Sequence, residues 1–216
     1  MPANRGRGHH AGLTTGAILD AAIRLADRDG LAALSMRRLG TELGVEAMAL
    51  YHHFPNKDAL LDGIIERLAT AAPVPRFDGT DWRDGLRRYT RTRRDTLAAH
   101  PNLVPLVLSR PGNTAGNHRL METLLESLRS AGFPPRQALD MVYALHGLIL
   151  VHAAVDAGIG DAPAPHGETG QDRRLADVPA EEYPLLAEAA RSSAGRSPTA
   201  RFEFALDALI AGFDVA

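Results

Sequence analysis

The sequence predicts an all-α chain: a small N-terminal three-helix head built around a helix-turn-helix, followed by a larger helical body. Three observations predict it. Apolar residues recur at spacings of three and four along most of the chain, the period of one helical face. No segment alternates apolar and polar residues for long enough to build a sheet. Capping residues and Gly or Pro stops punctuate the periodic segments.

The first helix runs from a Thr14 or Thr15 cap to Asp29, with Ile18, Ala21, Ala22, Leu25 and Ala26 on one face. Gly30 ends it, and Leu31 and Leu34 bring the chain back under the bundle. Ser35 caps a second helix whose Met36, Leu39 and Leu43 face inward. Gly44 supplies the left-handed residue of a tight corner, and Val45 plugs it. Glu46 opens a short helix of about two turns carrying Ala47, Met48, Ala49, Leu50, Tyr51, His52 and His53. A helix that short is not stable alone. Held at a rigid corner, it presents side chains as a recognition helix does in a DNA major groove. Phe54-Pro55 stops it, since the residue before proline avoids the α region. Asn56 then caps a fourth helix with Ala59, Leu60, Ile64 and Leu68 on one side. Residues 1–13 are thus an N-terminal arm, 14–55 a helix-turn-helix domain, 56–72 a connecting helix and 73–216 the body.

A Pro/Gly hinge at 71–81 leads into the body. Trp82, Leu86, Tyr89 and Leu97 share a face of one helix, which ends near His100-Pro101. Residues 103–108 are a short apolar stretch stopped by Arg110-Pro111-Gly112. Leu120, Met121, Leu124, Leu125 and Leu128 mark a helix ended by Gly132, and Pro134 or Pro135 starts the next, to about Ala157. That helix is apolar nearly all round from Ala138 to Val155, so it must be covered on most sides, a partner subunit included. Residues 158–178 lack periodicity and read as a mobile loop. A helix from Ala180 to Ala194, an SPT break and a last helix from Phe202 to Phe213 complete the chain. Phe202, Ala205, Leu206, Leu209, Ile210 and Phe213 form a wide apolar stripe, which suggests a homodimeric four-helix interface with the helix at 135–157.

Composition narrows the function classes. The 216 residues are 45% hydrophobic, enough for a buried core. The absence of cysteine rules out a disulfide framework and thiolate metal sites, and suits a reducing cytoplasm. The N-terminal MPANRGRGHHAGL has no long apolar stretch and does not read as a signal peptide. No run of about 18 uncharged apolar residues occurs, so no membrane span is expected. Net charge is -2, and residues 1–60 hold seven Arg or Lys against six acids. Any DNA-binding face therefore depends on where its charges sit. Arg5 and Arg7 read equally as a DNA-following arm and as a tail without a role. Arg83, Arg87, Arg91 and Arg94 form a stripe at helical spacing, read as a solvated face with Asp84 and Asp95 rather than a second nucleic-acid site.

The stretch LGVEAMALYHHFPNKDALL resembles the tetracycline-repressor (TetR) family of bacterial regulators, through Leu-Gly-Val, Leu50-Tyr51, Phe54, Asn56-Lys57 and Leu60. The body is similar to the tetracycline-repressor subgroup in DWRDGLRRY, LVLSRP, LRSAGFPPRQAL and FEFALDALIAGF. The resemblance implies a homodimer that binds an operator in double-stranded DNA and is released, as a repressor, by a small-molecule effector held in the body. By similarity, Met36 and Arg37 open the supporting helix, which touches phosphates and sometimes a base. Glu46, Ala47, Met48 and Ala49 fall on the recognition helix, where the apolar three can touch thymine methyls but cannot hydrogen-bond a purine. Tyr51, His52 and Lys57 fall at positions that grip the backbone, with His52 rather than His53 expected to face outward. Lys57, the only lysine in the chain, sits at a helix N-terminus whose amides add a second anion-binding element.

Magnesium-tetracycline binding in that subgroup needs imidazole and carboxylate groups around a hard cation. Aligned on the family, those ligands fall on Pro73, Val107 and Val155. His100 and Asp156 keep a metal option open, but an apolar pocket without metal or other cofactor is the preferred reading. Leu103, Leu106, Val107, Met121, Leu125, Met141, Leu145, Ile149 and His152 are candidates to line it, with His146 and His152 as polar anchors or as core histidines. The chain has no cysteine nucleophile, no G-x-S-x-G, no Walker loop and no HExxH, so nothing proposes a reaction. A helical adaptor that keeps the helix-turn-helix only as packing is the alternative, and a helical enzyme a more remote one.

Overall fold

The structure is a computed structural model and describes residues 13–71, 82–110, 112–159, 178–193 and 197–214. Among these residues there are ten α-helices and no strand. They are α1 Thr15–Asp29, α2 Met36–Leu43, α3 Ala47–Tyr51, α4 Lys57–Thr70, α5 Trp82–Ala98, α6 Val104–Ser109, α7 Ala115–Ser130, α8 Pro135–Asp156, α9 Pro184–Ser193 and α10 Pro198–Ala211. Short 3₁₀ turns occupy Leu31–Ala33 and Pro101–Leu103. The arm at 1–12, with Arg5 and Arg7, most of the hinge, with Pro73, and residues 160–177 of the expected loop lie outside the described residues.

The helix starts follow the capping chemistry. Thr14, Ser35, Asn56, Thr114 and Ser197 each accept a hydrogen bond from a backbone N–H of the first turn. Three boundaries differ from expectation. The helix after the loop begins at Pro184 instead of Ala180, because proline fits the first helical turn and pushes Tyr183 out of the α region. The last helix begins at Pro198 instead of Phe202: Ser-Pro-Thr is its cap and first turn, not a break. The recognition helix has only five residues, and His52 and His53 lie in the turn after it.

Two cores form. In the head, Ile18, Leu25, Leu39, Leu50, Leu60 and Ile64 are fully buried together. The corner between α2 and α3 is tight. Gly44 takes φ +67°, and a Cβ at Gly40 would lie 2.8 Å from the Val45 carbonyl oxygen. In the body, α8 packs on α5, α7 and α10 around Leu86, Tyr89, Leu124, Leu145, Phe202 and Leu206. Trp82 meets Phe133 edge-to-face at 4.8 Å.

Leu103 and Leu106 belong to the head core, so the segment before and within α6 plugs the head from the body side. Around it, His100 Nδ1 lies 2.8 Å from Asp27, and Asn102 donates to the Asp27 carbonyl at the end of α1.

The arginine stripe is neither a nucleic-acid site nor simply solvated. Arg87 pairs with Asp207 and Asp84, Arg91 with Glu203, and Arg94 donates to Thr199, so the stripe stitches α5 to α10. The α10 apolar stripe is likewise spoken for within the chain. Phe202, Leu206 and Ile210 are fully buried in the body and Leu209 packs half-buried against it, because α10 turns that face onto α5 and α8.

Among the described residues, α8 alone is long and apolar enough to cross a membrane. Here its Met141, Val142, Leu145, Ile149 and Ala153 are buried in the body. Its opposite face, through Tyr143, Gly147, Val151 and Val155, is exposed.

Candidate functional site: the α3 face and the body cavity

Leu50, fully buried, pins α3 into the head and thereby turns the other side of this short helix outward. Met48 is 69% exposed and Tyr51 42% exposed, while Ala47 and Ala49 are half-buried beside them. Glu46 is exposed at the helix start and makes no capping bond through its side chain. His52 is exposed; His53 is half-buried, with its Nδ1 3.4 Å from Thr15 Oγ1. Lys57 is exposed at the start of α4, next to the Asn56 cap, and Arg37 is exposed on the first turn of α2. Met36 faces inward, as its place on the α2 stripe predicts, which withdraws its side chain from the contact that the resemblance implies. Its side chain is 6% exposed and belongs to the head core, because the inward stripe of α2 includes it together with Leu39.

Most charges of the head are consumed internally. Arg28 pairs with Glu42 and Asp29, Arg38 with Asp29 at 2.6 Å, and Arg67 with Asp20. Arg28 draws the Glu42 carboxyl below its usual pKa, and the pairing raises that of Arg28. Asp58, beside Lys57, is claimed by Arg110. Arg37 and Lys57 have no carboxylate within 4 Å among the described residues, so positive charge is left where the nearly neutral head needs it.

A cavity of about 180 Å³ lies in the body between α4, α5, α6, α7 and α8. Ile65, Leu68 and Ala69 of α4 form one wall, Arg93 and Leu97 of α5 a second, and His146, Ile149 and Leu150 of α8 a third. Val107, Arg110, Gly112 and Asn117 close it. Of the expected lining, Val107, His146 and Ile149 are in place. Leu103 and Leu106 belong to the head core instead, Leu106 about 100° round α6 from Val107. Met141 and Leu145 are buried in the body core, with Met121 and Leu125 packed half-buried against it. His152 is held by an Nδ1 contact to the Leu148 carbonyl and packs edge-on against Phe202, away from the cavity.

His146 Nε2 lies 2.7 Å from the Tyr89 hydroxyl. Burial first, and then the nearby Arg93 charge, push the imidazole pKa down to about 4, so it is neutral at pH 7. Burial raises the Tyr89 phenol, which therefore stays protonated. Sequence reasoning missed the other nine lining residues, among them the charged Arg93 and Arg110. Arg93 sits within RYTRTRRD, where no spacing separates it from its solvated neighbours. Arg110 was legible only as a helix stop, yet it pairs with Asp58 and Asp62 of α4. Among the described residues no three His, Asp or Glu converge as cation ligands. Val107 lines the cavity, Val155 is exposed on α8, and His100 is engaged with Asp27.

Comparison with known proteins fits this division. Residues 18–64 match the family described as bacterial regulatory proteins, tetR family, and residues 74–216 match the tetracyclin repressor-like C-terminal domain. The chain is 29% identical over 217 residues to the HTH-type transcriptional repressor DrrR1 of Streptomyces coeruleorubidus, covering 97% of this chain and 80% of the relative. It is 32% identical over 199 residues to the class A tetracycline repressor protein from transposon 1721 of Escherichia coli, covering 90% and 88%. The crystal structure of apo ActR from Streptomyces coelicolor superposes with a TM-score of 0.77 at 28% identity, covering 93% of this chain and 94% of that one. With a helix-turn-helix head, a cavity-bearing helical body and matches spanning both, the chain belongs to the tetR family of bacterial regulatory proteins, DNA-binding transcription factors rather than enzymes.

Proposed function

We propose that this chain is a cytoplasmic repressor that binds a near-palindromic operator as a homodimer and leaves it when a small, mainly apolar molecule enters the body cavity. The observation that carries this is the course of α4. Its first residue, Lys57, is exposed at the head end, and its last turns wall the cavity. An effector that displaces that wall acts on the head directly, and Arg110, in the cavity and paired with Asp58 and Asp62, is a second link to the same helix. A structural neighbour supports release by a bound molecule: ActR has been crystallised in complex with actinorhodin.

In this reading Arg37, Tyr51, His52 and Lys57 hold phosphates, which position the head without reading sequence. Ala47, Met48 and Ala49 contact thymine methyls, and Glu46 can accept from a cytosine amino group. Met36 contributes packing instead of contact. The domain limits proposed are 14–55 for the head, 56–72 for the connecting helix and 73–216 for the body. The dimer seam lies on the exposed apolar stripe of α8, through Tyr143, Val151 and Val155.

The test is fluorescence anisotropy with duplexes from the DNA upstream of the protein's own gene. Saturable binding with half-sites about one helical turn apart, or a multiple of it, is expected; no preference over random duplex would leave only the adaptor reading. Magnesium-tetracycline should neither release the DNA nor give saturable heat in calorimetry, since Val107 and Val155 offer a cation no ligand.

A further inference from the structure

The cavity is lined mainly by apolar side chains, but its charge is not balanced. Arg110, one of its two arginines, is neutralised by Asp58 and Asp62. His146 is neutral. Arg93 has no carboxylate within 4 Å among the described residues. Its Nη1 donates to the Leu68 carbonyl in the last turn of α4 at 2.7 Å, and its Nε is buried without an acceptor. Burial disfavours the charged form and lowers its pKa, yet an arginine stays protonated in proteins. A buried, half-satisfied guanidinium costs stability unless something supplies the missing acceptors. The partial negative charge at the end of α4 offsets only part of this.

We propose that the effector is an organic acid with a compact apolar body, and that Arg93 binds its carboxylate while Leu97, Ile149 and Leu150 cover the apolar part. The inference rests on reading the cavity as the effector site. A carboxylate accepts from a guanidinium through two oxygens, and the Arg93 Nε–H, closed to solvent in this rotamer, reaches one of them when the guanidinium turns into the cavity. The Tyr89 hydroxyl and His146 Nε2 share one hydrogen bond, and the neutral imidazole keeps its second ring nitrogen, Nδ1, for the ligand. Because Arg93 also holds the Leu68 carbonyl, an acid that draws the guanidinium toward itself loosens the end of α4.

Calorimetry of the full-length protein against matched acid and amide pairs, benzoate with benzamide and 2-naphthoate with 2-naphthamide, tests this. The acid of at least one pair should bind about tenfold or more tightly than its amide, the size of one charge-assisted hydrogen bond. Arg93→Gln should abolish the preference while leaving amide binding in place, which also shows that the variant is folded; Arg93→Met, keeping the aliphatic volume, should do the same. Ile149→Trp, which fills the cavity, should remove both members of a pair. Equal binding of acid and amide, both lost in Ile149→Trp, would overturn the anionic effector and leave the cavity reading intact. So would an acid preference that survives Arg93→Gln and Arg93→Met. Failure of every compound to bind, or binding indifferent to Ile149→Trp, overturns the cavity reading and this inference with it.

Discussion

Lys57 and Tyr51 are single residues on which the proposed DNA grip depends, and they act by different physics. Lys57 is an exposed charge at a helix start, with its acidic neighbour Asp58 tied to Arg110. Lys57→Ala should weaken binding to specific and random duplexes alike and reduce the slope of log K against log salt by about one unit. Tyr51→Ala should weaken binding with the slope unchanged, since no charge is lost. An anisotropy titration over a salt series separates the two. His146 is the informative residue of the body. Its folded pKa of about 4 lies below the ordinary value of 6.5, so the unfolded chain binds the extra proton between those limits. This contribution to stability is complete above pH 6.5 and is lost as pH falls toward 4, by up to ~3 kcal/mol. Urea midpoints of the wild type should therefore fall more steeply across that window than those of His146→Asn.

At the scale of elements, the corner between α2 and α3 is the least forgiving feature. A Cβ at Gly40 meets backbone, the Val45 carbonyl, which cannot swing aside like a side chain. Gly40→Ala should cost roughly 1–3 kcal/mol of head stability and displace α3, so DNA binding falls while the body keeps its compounds; thermal unfolding with gel shift checks both. By contrast, the α5–α10 ion pairs are partly exposed, and each is worth about 0–1 kcal/mol. They orient α10, whose buried Phe202, Leu206 and Ile210 hold it in place. The head was legible because its signals are local: a Thr14 cap, a Ser35 cap, an αL glycine, an Asn56 cap. The late helices were misplaced for an equally local reason: Pro184 was passed over inside a helix and Pro198 taken for a break, although each stands in a first turn.

For the whole molecule, the open question is which surface joins two heads at operator spacing. Apolarity pointed to α8 and α10 together, yet most of the α10 stripe is used inside its own body. The exposed line on α8 remains, with Val151 at 61% and Tyr143 at 61% exposure, together with Phe204 of α10 at 67%. Large apolar side chains contribute roughly 1.5–3 kcal/mol each on burial, and an unpaired charge in the seam opposes association. Val151→Asp should therefore sediment as a monomer at micromolar concentration and bind operator weakly, with its helical content unchanged. A dimer that persists would place the seam elsewhere.

The all-helical class, the helix-turn-helix corner, the outward Met48 and Tyr51, and the family were legible in the chain alone, because caps, turns and amphipathic periods are written within a few residues of where they act. It took the packed fold to show what Leu103 and Leu106 face, which arginine of a run of five between Arg87 and Arg94 enters the cavity, and that Arg110 is joined to α4. Those outcomes depend on the rotation of one helix against others distant in the chain. A difference of one residue along a helix turns a side chain by about 100°, from core to cavity or from cavity to water.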